Sequence, residues 1–314
     1  MVRVISPSAS SPLHRLVEDY LTSCRARGLS PRTIDVSYGF ALRSVLLPWC
    51  AASDITAVEE LDGRAVDRFT ADLLTRTSAR GQPLSKHSVH TYVRAVRQLL
   101  TWAQREGESV VAKPQLPKLG KRHREVLSRE EIDAMEAAVP TERDKLIVRL
   151  FGDCGLRLAE LTRLGVGDLR RHERYGQLQI QGKGDRDRPV PVPPRLLRRL
   201  ERYIADRPTD VSDDRVFLSL RRGPSGDYDA LTESGVAQLI GVAGVRAQLR
   251  RPVHPHLLRH SWMTEMLRRG MNPVQLARIA GCSVKVIENH YEHLTEDDAA
   301  DAMMRALTAS DHRR

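Results

Sequence analysis

Two residue types that could act together on a phosphodiester lie near the C-terminus of this 314-residue chain. His256 and Arg259 are three positions apart, and helical residues at that spacing share one face. Arginine offers a planar fork of donors to phosphate oxygens, and histidine can transfer a proton near neutral pH. Tyr291, farther along the same stretch, is then a candidate nucleophile. The pattern therefore favours chemistry on a phosphodiester.

The histidines and the tyrosine of this stretch also permit other interpretations. His256 and His260 lie four residues apart, and His290 and His293 could complete a metal site with them. No His-Glu-x-x-His pattern accompanies these residues, so we predict that no metal binds here. Tyr291 could pack in a core, although its polar neighbours favour exposure.

Length, charge and cysteine content limit the class of protein. At 314 residues the chain exceeds what one core usually serves, so we expect two domains. Lys and Arg outnumber Asp and Glu by 50 to 40, which favours a polyanionic partner such as nucleic acid, although excess charge also serves solubility. The sequence has neither an apolar run of membrane-spanning length nor a secretory segment. Four scattered cysteines without a Cys-x-x-Cys pair predict a reducing cytoplasm, with no disulfide and no zinc cluster.

The first part of the chain has the apolar periodicity of helices. Residues 1–11 are rich in Ser and Pro, and we predict a disordered lead-in there. Residues 12–107 carry four helical patterns and no strand pattern, which predicts an all-helical domain. Ser30, Asp62 and Ser85 are placed to cap the second, third and fourth of these helices.

Basic side chains on this domain and after it could contact phosphates. Residues 108–126 hold two prolines among several lysines and arginines, which predicts an exposed basic linker. The linker could follow the same ligand as the domains, or it could be a passive spacer. An ordinary solvated surface is the other explanation for the basic residues of the helices. The candidate phosphate contacts are Arg32, Arg43, Lys86, Arg94, Arg97, Lys121 and Arg122.

A second domain is predicted over residues 127–296. Ser128 begins a capping-box pattern, which starts the first helix of this domain. A later helix is expected to break at Gly152 and at Gly155, because glycine is disfavoured inside helices and often ends them. The spacing of apolar residues within 297–314 predicts a final amphipathic helix, followed by a tail.

Strand patterns occur in the middle of this domain. Alternating apolar residues on both sides of residues 182–185 predict a hairpin with Lys183 at or near its tip. Residues 216–218 predict a further short strand. Thr232 and the pair at residues 272–273 are placed to begin later helices. The whole chain is therefore predicted to be mainly α-helical with a small antiparallel β-sheet.

Several of these motifs, taken in chain order, resemble the tyrosine recombinases or phage-type integrases. The motifs are Cys-Gly-Leu-Arg-Leu-Ala-Glu-Leu at 154–161, Gly-Lys-Gly at 182–184 with Arg-Pro-Val-Pro-Val at 188–192, His-Pro-His-Leu-Leu-Arg-His at 254–260, and Ile-Ala-Gly-Cys at 279–282 followed nine residues later by Tyr291. The resemblance covers residues 127 to about 296. It implies a helical core-binding, SAM-like domain joined to an α+β catalytic domain, the two forming a C-shaped clamp on DNA.

The resemblance also implies a mechanism with five named residues. Arg157 and Arg259 would stabilise the negative charge that spreads over a five-coordinate phosphorus. Tyr291 would attack the phosphorus to give a 3′-phosphotyrosyl link and a free 5′-hydroxyl, helped by His256 as general base. Lys183 would protonate the leaving oxygen. Because the covalent link keeps the bond energy, strands could be rejoined without ATP, and neither a metal nor another cofactor is expected.

Two further positions enter through the same resemblance. Glu160 matches an acidic position that would orient Arg157 or its neighbours, although the two residues could be an ordinary surface ion pair. Cys282 stands where the family usually has His, sometimes Trp, and a thiol is a poorer hydrogen-bond donor. We therefore expect a slower enzyme. A catalytically weak or silent DNA-binding protein is the alternative function, and a topoisomerase with the same chemistry is disfavoured by the helical N-terminal domain.

The implied partners are DNA and further copies of the chain. The resemblance predicts double-stranded DNA with specific recombination sites, bound by a homo-oligomer that is a tetramer on DNA. The helix within residues 297–314 would be exchanged between protomers, or it would pack on its own domain.

Overall fold

The computed structural model describes residues 11–77, 81–119, 125–172, 175–181, 187–208, 210–224, 226–288, 290, 298, 300, 303 and 304. The chain divides into two compact units, Met1–Arg122 and His123–Arg314. Helices dominate both units, and the second also carries small antiparallel sheets, so the predicted fold class is confirmed.

The first unit is helical over its described residues. Its elements are α1 Pro12–Ala26, a π-helical segment Thr33–Leu46, α2 Leu47–Ala52, a 3₁₀ turn Val58–Glu60, α3 Gly63–Thr75 and α4 Lys86–Arg105. The side chains of Ser30, Asp62 and Ser85 each accept a hydrogen bond from a backbone N–H three residues later, so the predicted caps are confirmed. The apolar faces of these helices meet in one core, which includes Tyr20 and Phe69.

The helix after Ser30 has an unusual hydrogen-bond pattern. It is π-helical from Thr33 to Leu46, and the N–H of Leu47 donates to the carbonyl of Leu42, five residues earlier. Its buried residues still face the core, as the apolar pattern predicts. The pattern did not predict the π form, because a stripe of apolar side chains does not specify which carbonyl each N–H reaches.

The second unit combines helices with two sheets. Its helices are α5 Arg129–Ala138, α6 Glu142–Cys154, α7 Leu158–Arg163, α8 Pro194–Ala205, α9 Glu233–Arg246, α10 Pro255–Arg268, α11 Pro273–Ala280 and α12 Val284–Glu288, with a 3₁₀ turn at Val166–Asp168. One sheet has the order β1 Leu169–Arg171, β2 Gly176–Ile180 and β3 Arg188–Val192, and the other pairs β4 Leu218–Arg222 with β5 Tyr228–Ala230. The main core packs residues of both kinds of element, including Phe151 and Val190.

The hairpin predicted around residues 182–185 is confirmed by the antiparallel pairing of β2 with β3. Leu178 lies opposite Val190, and both side chains are buried. More exposed residues alternate with the buried ones along both strands, as expected for a sheet with one face on the core. Lys183 itself lies outside the described residues.

The strand predicted at residues 216–218 is misplaced. β4 begins only at Leu218, because Val216 and Phe217 bury their side chains in the main core before the sheet pairing starts. The short strands β1 and β5 were not predicted. Each has three residues, too few for a period-two pattern to be recognised in the sequence.

Gly152 and Gly155 have different roles in α6. The helix continues through Gly152, so the predicted break there is wrong. A Cβ at Gly152 would lie 2.9 Å from the Cγ2 of Ile132, so the glycine permits close packing of α5 on α6. Gly155 does end the helix, with φ of +61°, and a Cβ there would lie 2.0 Å from the indole of Trp262.

The remaining predicted helix starts in this unit are confirmed. Ser128 and Glu131 form the capping box at the start of α5. The side chains of Thr232 and Asn272 accept backbone hydrogen bonds at the starts of α9 and α11. Among the described helices, none is both long and apolar enough to cross a membrane.

Most of the predicted final helix lies outside the described residues, and so does Tyr291. Asp298 is described, and its Oδ2 lies 3.5 Å from the Nε of Arg268 on α10 of the same chain. Met303 is 65% exposed.

Candidate active site

Arg259 is the most deeply buried of the predicted site residues that are described. It lies on α10, whose first turn is capped by the Nδ1 of His254, which accepts from the N–H of Leu257. Only 4% of Arg259 is exposed, and its guanidinium donates to the carbonyls of Gly155 and Ala280. Burial, and next the charge of the Arg157 guanidinium, lower the pKa of Arg259 to about 10. Arg259 therefore remains charged at neutral pH.

Arg157 and Glu160 form the start of α7. Glu160 accepts from the backbone N–H of Arg157 at 2.8 Å and from its Nη1 at 2.7 Å. The Arg157 guanidinium also donates to the carbonyl of Gly281. Arg157 is 41% exposed at its side chain, whereas Glu160 is 8% exposed. The carboxylate of Glu160 thus binds the buried edge of the Arg157 guanidinium. The exposed part of that guanidinium can reach a ligand.

Arg188, the first residue of β3, is a third arginine at this site. Its Nε donates to the carbonyl of Ile279 at 2.7 Å, and its Nη2 donates to Glu160 at 2.9 Å. In the sequence, Arg188 stands only as part of the motif at 188–192, and no role for it was predicted. A signal was present, because the period of two in β3 puts Arg188 on the same inward face as the buried Val190.

The end of α11 accepts hydrogen bonds from all three guanidiniums. The carbonyls of Ile279, Ala280 and Gly281 follow one another, and each accepts from a different arginine. These groups carry the partial negative charge of a helix C-terminus. A neutral carbonyl fixes a guanidinium without cancelling its charge. Among the described residues, three positive charges therefore lie near one carboxylate, that of Glu160, an arrangement that is complementary to an anion.

Cys282 lies directly after this row of carbonyls. Gly281 has φ of +65°, and the N–H of Cys282 donates to the carbonyl of Ala277, so the turn that ends α11 positions the thiol. Burial raises the pKa of Cys282, and the charges of Arg259, Arg157 and Arg188 oppose that rise. Cys282 thus lies near the three arginines, with a neutral thiol at neutral pH.

His256 lies one helical turn before Arg259, on the exposed surface of α10. Its ring is nearly parallel to that of His254, at 10° and with ring centroids 6.5 Å apart. The two predicted residues thus share α10. Arg259 is buried against the end of α11, whereas His256 is in contact with solvent.

Two other histidines are buried behind this surface. The rings of His260 and His290 have centroids 4.1 Å apart, and the Nδ1 of His290 lies 3.2 Å from the Oγ1 of Thr264. His290 therefore fixes the chain against α10 immediately before Tyr291 in the sequence. Within the described part of the chain, no group of three or more His, Cys, Asp or Glu side chains could hold a metal ion.

The basic residues predicted to contact phosphates differ in their surroundings. Arg32, Lys86 and Arg94 are exposed, and Arg97 is half-buried. Arg43 instead donates to both carboxylate oxygens of Glu18, with a distance of 2.6 Å from its Nε to Oε1. The hydrogen bond from Arg43 lowers the pKa of Glu18 despite burial. Much of the charge of Arg43 is thus compensated, which weakens its prediction as a phosphate contact; Lys121 and Arg122 lie outside the described residues.

Comparison with known proteins agrees with the fold. The description "Phage integrase family" belongs to the sequence profile that matches residues 125–298, more than half of the chain. Tyrosine recombinase XerA of Thermococcus onnurineus (strain NA1) is 30% identical over 296 residues, which are 94% of this chain and 96% of that relative. The chain belongs to the phage integrase family.

Solved structures share the fold over most of the chain. The Tn1549 transposon integrase in complex with a circular intermediate DNA has a TM-score of 0.70 at 17% identity, covering 95% of this chain and 100% of that one. The XerH site-specific recombinase bound to palindromic difH substrate has a TM-score of 0.68 at 19% identity, covering 91% of this chain and 83% of that one.

Proposed function

We propose that this chain is a site-specific DNA recombinase that cleaves and rejoins DNA strands through a 3′-phosphotyrosyl intermediate. The observation that carries the proposal is the convergence of Arg157 and Arg259 on neighbouring carbonyls, with one carboxylate between three guanidiniums. The names of the relatives support it, because XerA is called a tyrosine recombinase and the XerH and Tn1549 proteins were solved with DNA.

In this proposal the two arginines bind the non-bridging oxygens of one phosphate. The charge on those oxygens grows as the phosphorus becomes five-coordinate, so fixed guanidiniums favour the transition state over the ground state. Arg259 is held by two carbonyls and Arg157 by Glu160 and one carbonyl, so neither side chain has to be ordered during the reaction.

The covalent steps of the proposal are supported by the sequence resemblance and by the exposure of His256. The phenol oxygen of Tyr291 forms a bond to phosphorus as the bond to the 5′-oxygen breaks. His256, exposed one turn from Arg259, accepts the phenol proton, and Lys183 gives a proton to the leaving oxygen. A 5′-hydroxyl from another strand reverses these steps, so the strands are exchanged without an external energy source.

The partner is double-stranded DNA with specific recombination sites, and the acting form is a tetramer on DNA in the cytoplasm. Basic surfaces such as that around Arg94 supply salt-dependent affinity for the duplex. The ion pair between Arg268 and Asp298 holds Asp298, at the start of the C-terminal segment, against α10 of the same chain. In this proposal the helix within residues 297–314 is exchanged between protomers.

The test is a covalent adduct between the protein and a nicked duplex. DNA that the protein protects is first mapped in the flanks of its own gene, and a nick is then placed so that the cleaved end diffuses away. We expect a denaturation-resistant adduct with the natural protein and none with Tyr291→Phe. Tyr228→Phe on β5 is the matched control, because it makes the same chemical change away from the site. Protection without any adduct would overturn the proposal.

Protection of DNA without any adduct is the outcome expected of a catalytically silent DNA-binding protein. The specific observation in its favour is Cys282, which puts a thiol beside Arg259 where the family usually has a stronger donor. The adduct experiment separates the two functions, because both proteins would protect DNA and only one would become attached to it.

A further inference from the structure

Arg188 joins three elements of the site by its side chain alone. It begins β3, it donates to Glu160 at the start of α7, and it donates to the carbonyl of Ile279 at the end of α11. Its side chain is 9% exposed, and its Nε and Nη2 already donate to groups of the protein. The same side chain therefore fixes the positions of groups that do face the ligand.

The first of these groups is Glu160, a buried carboxylate. Burial acts to raise the pKa of Glu160, but hydrogen bonds from Arg188 and then from Arg157 outweigh it and hold the pKa below its usual value. Among the described residues, the other charged or titratable groups near Glu160 are Arg259 and Cys282 from α10 and the turn after α11, and Arg163 and Asp168, which line the same cavity of about 40 Å³. Without Arg188, Arg157 would be the one described cation that still forms a hydrogen bond with Glu160.

The second group is the turn that ends α11. A Cβ at Gly281 would lie 2.7 Å from the Cζ of Arg188, so the guanidinium packs directly against the backbone that precedes Cys282. The carbonyl of Gly281 accepts from Arg157 on the other side. Arg188 and Arg157 thus hold the turn between them.

We propose that Arg188 is a positioning residue for phosphodiester cleavage, whose hydrogen bonds hold Glu160 and the Gly281 turn in place so that Arg157 faces the phosphate. This inference rests on the proposed function. Arg188 does not touch the reacting atoms. It acts through Glu160, whose negative charge holds the inner side of Arg157, and through the helix end that receives all three arginines.

The kinetic test compares adduct formation across pH in four proteins: the natural chain, Arg188→Met, Arg188→Lys and the double variant Arg188→Met with Glu160→Gln. Arg188→Met is expected to lower the rate at neutral pH by up to about 100-fold, because small displacements of a catalytic group are costly. Its rate should recover as pH rises, since the pKa of Glu160 moves up once Arg188 is gone. Arg188→Lys keeps the charge and should restore part of the rate.

The double variant distinguishes positioning through charge from simple packing. A glutamine at position 160 cannot titrate, so the new pH dependence of Arg188→Met should disappear in the double variant. Arg171→Met is the matched control. Arg171 lies in the same sheet and pairs with the carboxylate of Glu201 at 2.6 Å, but it has no contact with the site residues described above. Its rate and pH profile should equal those of the natural chain.

A second measurement does not depend on activity. The difference in Tm between the natural chain and Arg188→Met should be largest at alkaline pH, because the variant then buries a less compensated carboxylate. The difference should shrink as pH falls and Glu160 becomes protonated. A Tm difference that is independent of pH would show that Arg188 does not keep Glu160 ionised, and would overturn the inference.

The outcomes separate this inference from the proposed function. If the natural chain forms the adduct and Arg188→Met shows an unshifted pH profile, the positioning role is wrong and the recombinase proposal stands. If no adduct forms with the natural chain, the recombinase proposal fails and the catalytic part of this inference fails with it. The pH dependence of Tm still decides in that case whether Arg188 controls the charge of Glu160.

Discussion

Two clusters of arginines in the second unit have opposite charge balances. At the end of α11, Arg157 and Arg188 share the carboxylate of Glu160, and Arg157, Arg188 and Arg259 each donate to a backbone carbonyl. Between α5, α6 and α8, three arginines meet four carboxylates. That second cluster, named here the interhelical cluster, consists of Arg129, Arg149, Arg199, Asp133, Glu136, Glu142 and Asp153.

The difference lies in what accepts the donors of the guanidinium. Carboxylates in the interhelical cluster cancel the charge of their arginines, so the cluster can join helices but has no excess charge for an anion. Carbonyls at the end of α11 orient the guanidiniums and leave their charge intact. Burial and donor count alone do not separate the two clusters, because Arg149 is 12% exposed at its side chain and Arg188 is 9% exposed. The identity of the acceptor does separate them.

The largest effect is expected from Arg259→Met. The change removes one of the two guanidiniums proposed to bind the phosphate, and a lost transition-state donor typically costs about 2.7 to 4 kcal/mol. We expect the rate of adduct formation to fall by roughly 100- to 1,000-fold. Affinity for the same DNA should fall much less, as measured by fluorescence anisotropy.

The control for Arg259→Met is a measurement that shows the variant to be folded. The carbonyls of Gly155 and Ala280 lose their donor, so the Tm of the variant is measured and the adduct assay is run well below it. A rate within tenfold of the natural chain would show that these arginines do not act on the phosphate.

The second prediction concerns Arg149→Met in the interhelical cluster. Removing this cation leaves Glu136 and Asp133 without their main partner, so the free energy of unfolding should fall by about 3 kcal/mol. Denaturant unfolding measures it. At a temperature where the variant stays folded, adduct formation should match that of the natural chain. A loss of activity larger than the loss of folded protein would contradict the assignment of this cluster to structure alone.

The pH dependence of the same variant gives a further check. Burial raises the pKa of Glu136, but hydrogen bonds from Arg149 and Arg199 outweigh it and lower that pKa overall. A carboxyl with a lowered pKa stabilises the fold above the pKa of the unfolded chain, and the stabilisation is lost as pH falls. Arg149→Met should therefore lose less stability on acidification than the natural chain does.

Local chemistry made much of the fold predictable from the sequence. Caps such as Ser85 and Thr232 act on N–H groups three residues away, and the β2–β3 hairpin follows from a period of two. The site was predictable as a set of residue types and only partly as a geometry. The hydrogen bond from Arg157 to Gly281 joins positions 124 residues apart, and the bond from Arg188 to Ile279 spans 91. No local pattern specifies which carbonyl a distant guanidinium reaches, so the shared helix end was not predicted.

The third prediction concerns Cys282→His. Cys282 lies beside Arg259, and a neutral thiol donates only weakly to a phosphate oxygen. An imidazole at this position would add a stronger donor, although the turn is packed around a smaller side chain. We expect adduct formation to become faster by about tenfold, a part of what one transition-state donor contributes.

Cys282→Ser controls for the change from sulfur to a small polar group at the same position. It should stay close to the natural rate. If Cys282→His leaves cleavage unchanged or slower, the thiol is not an impaired donor and the site has adapted to it.

The smallest effect is expected in the first unit, where arginines can again be compared by the groups that accept their hydrogen bonds. Arg43 is paired with Glu18, whereas no described carboxylate pairs with the exposed Arg94. If the identity of the acceptor decides which arginines meet phosphate, Arg94→Met should reduce the dependence of log affinity on log salt by about 0.9, the value for one phosphate contact. Arg43→Met should leave that slope unchanged and lower the free energy of unfolding by only about 0.2 to 1 kcal/mol, because the pair is exposed to solvent. Anisotropy titrations at several salt concentrations measure the slopes, and a reduced slope for Arg43→Met would mean that the pair with Glu18 opens on DNA.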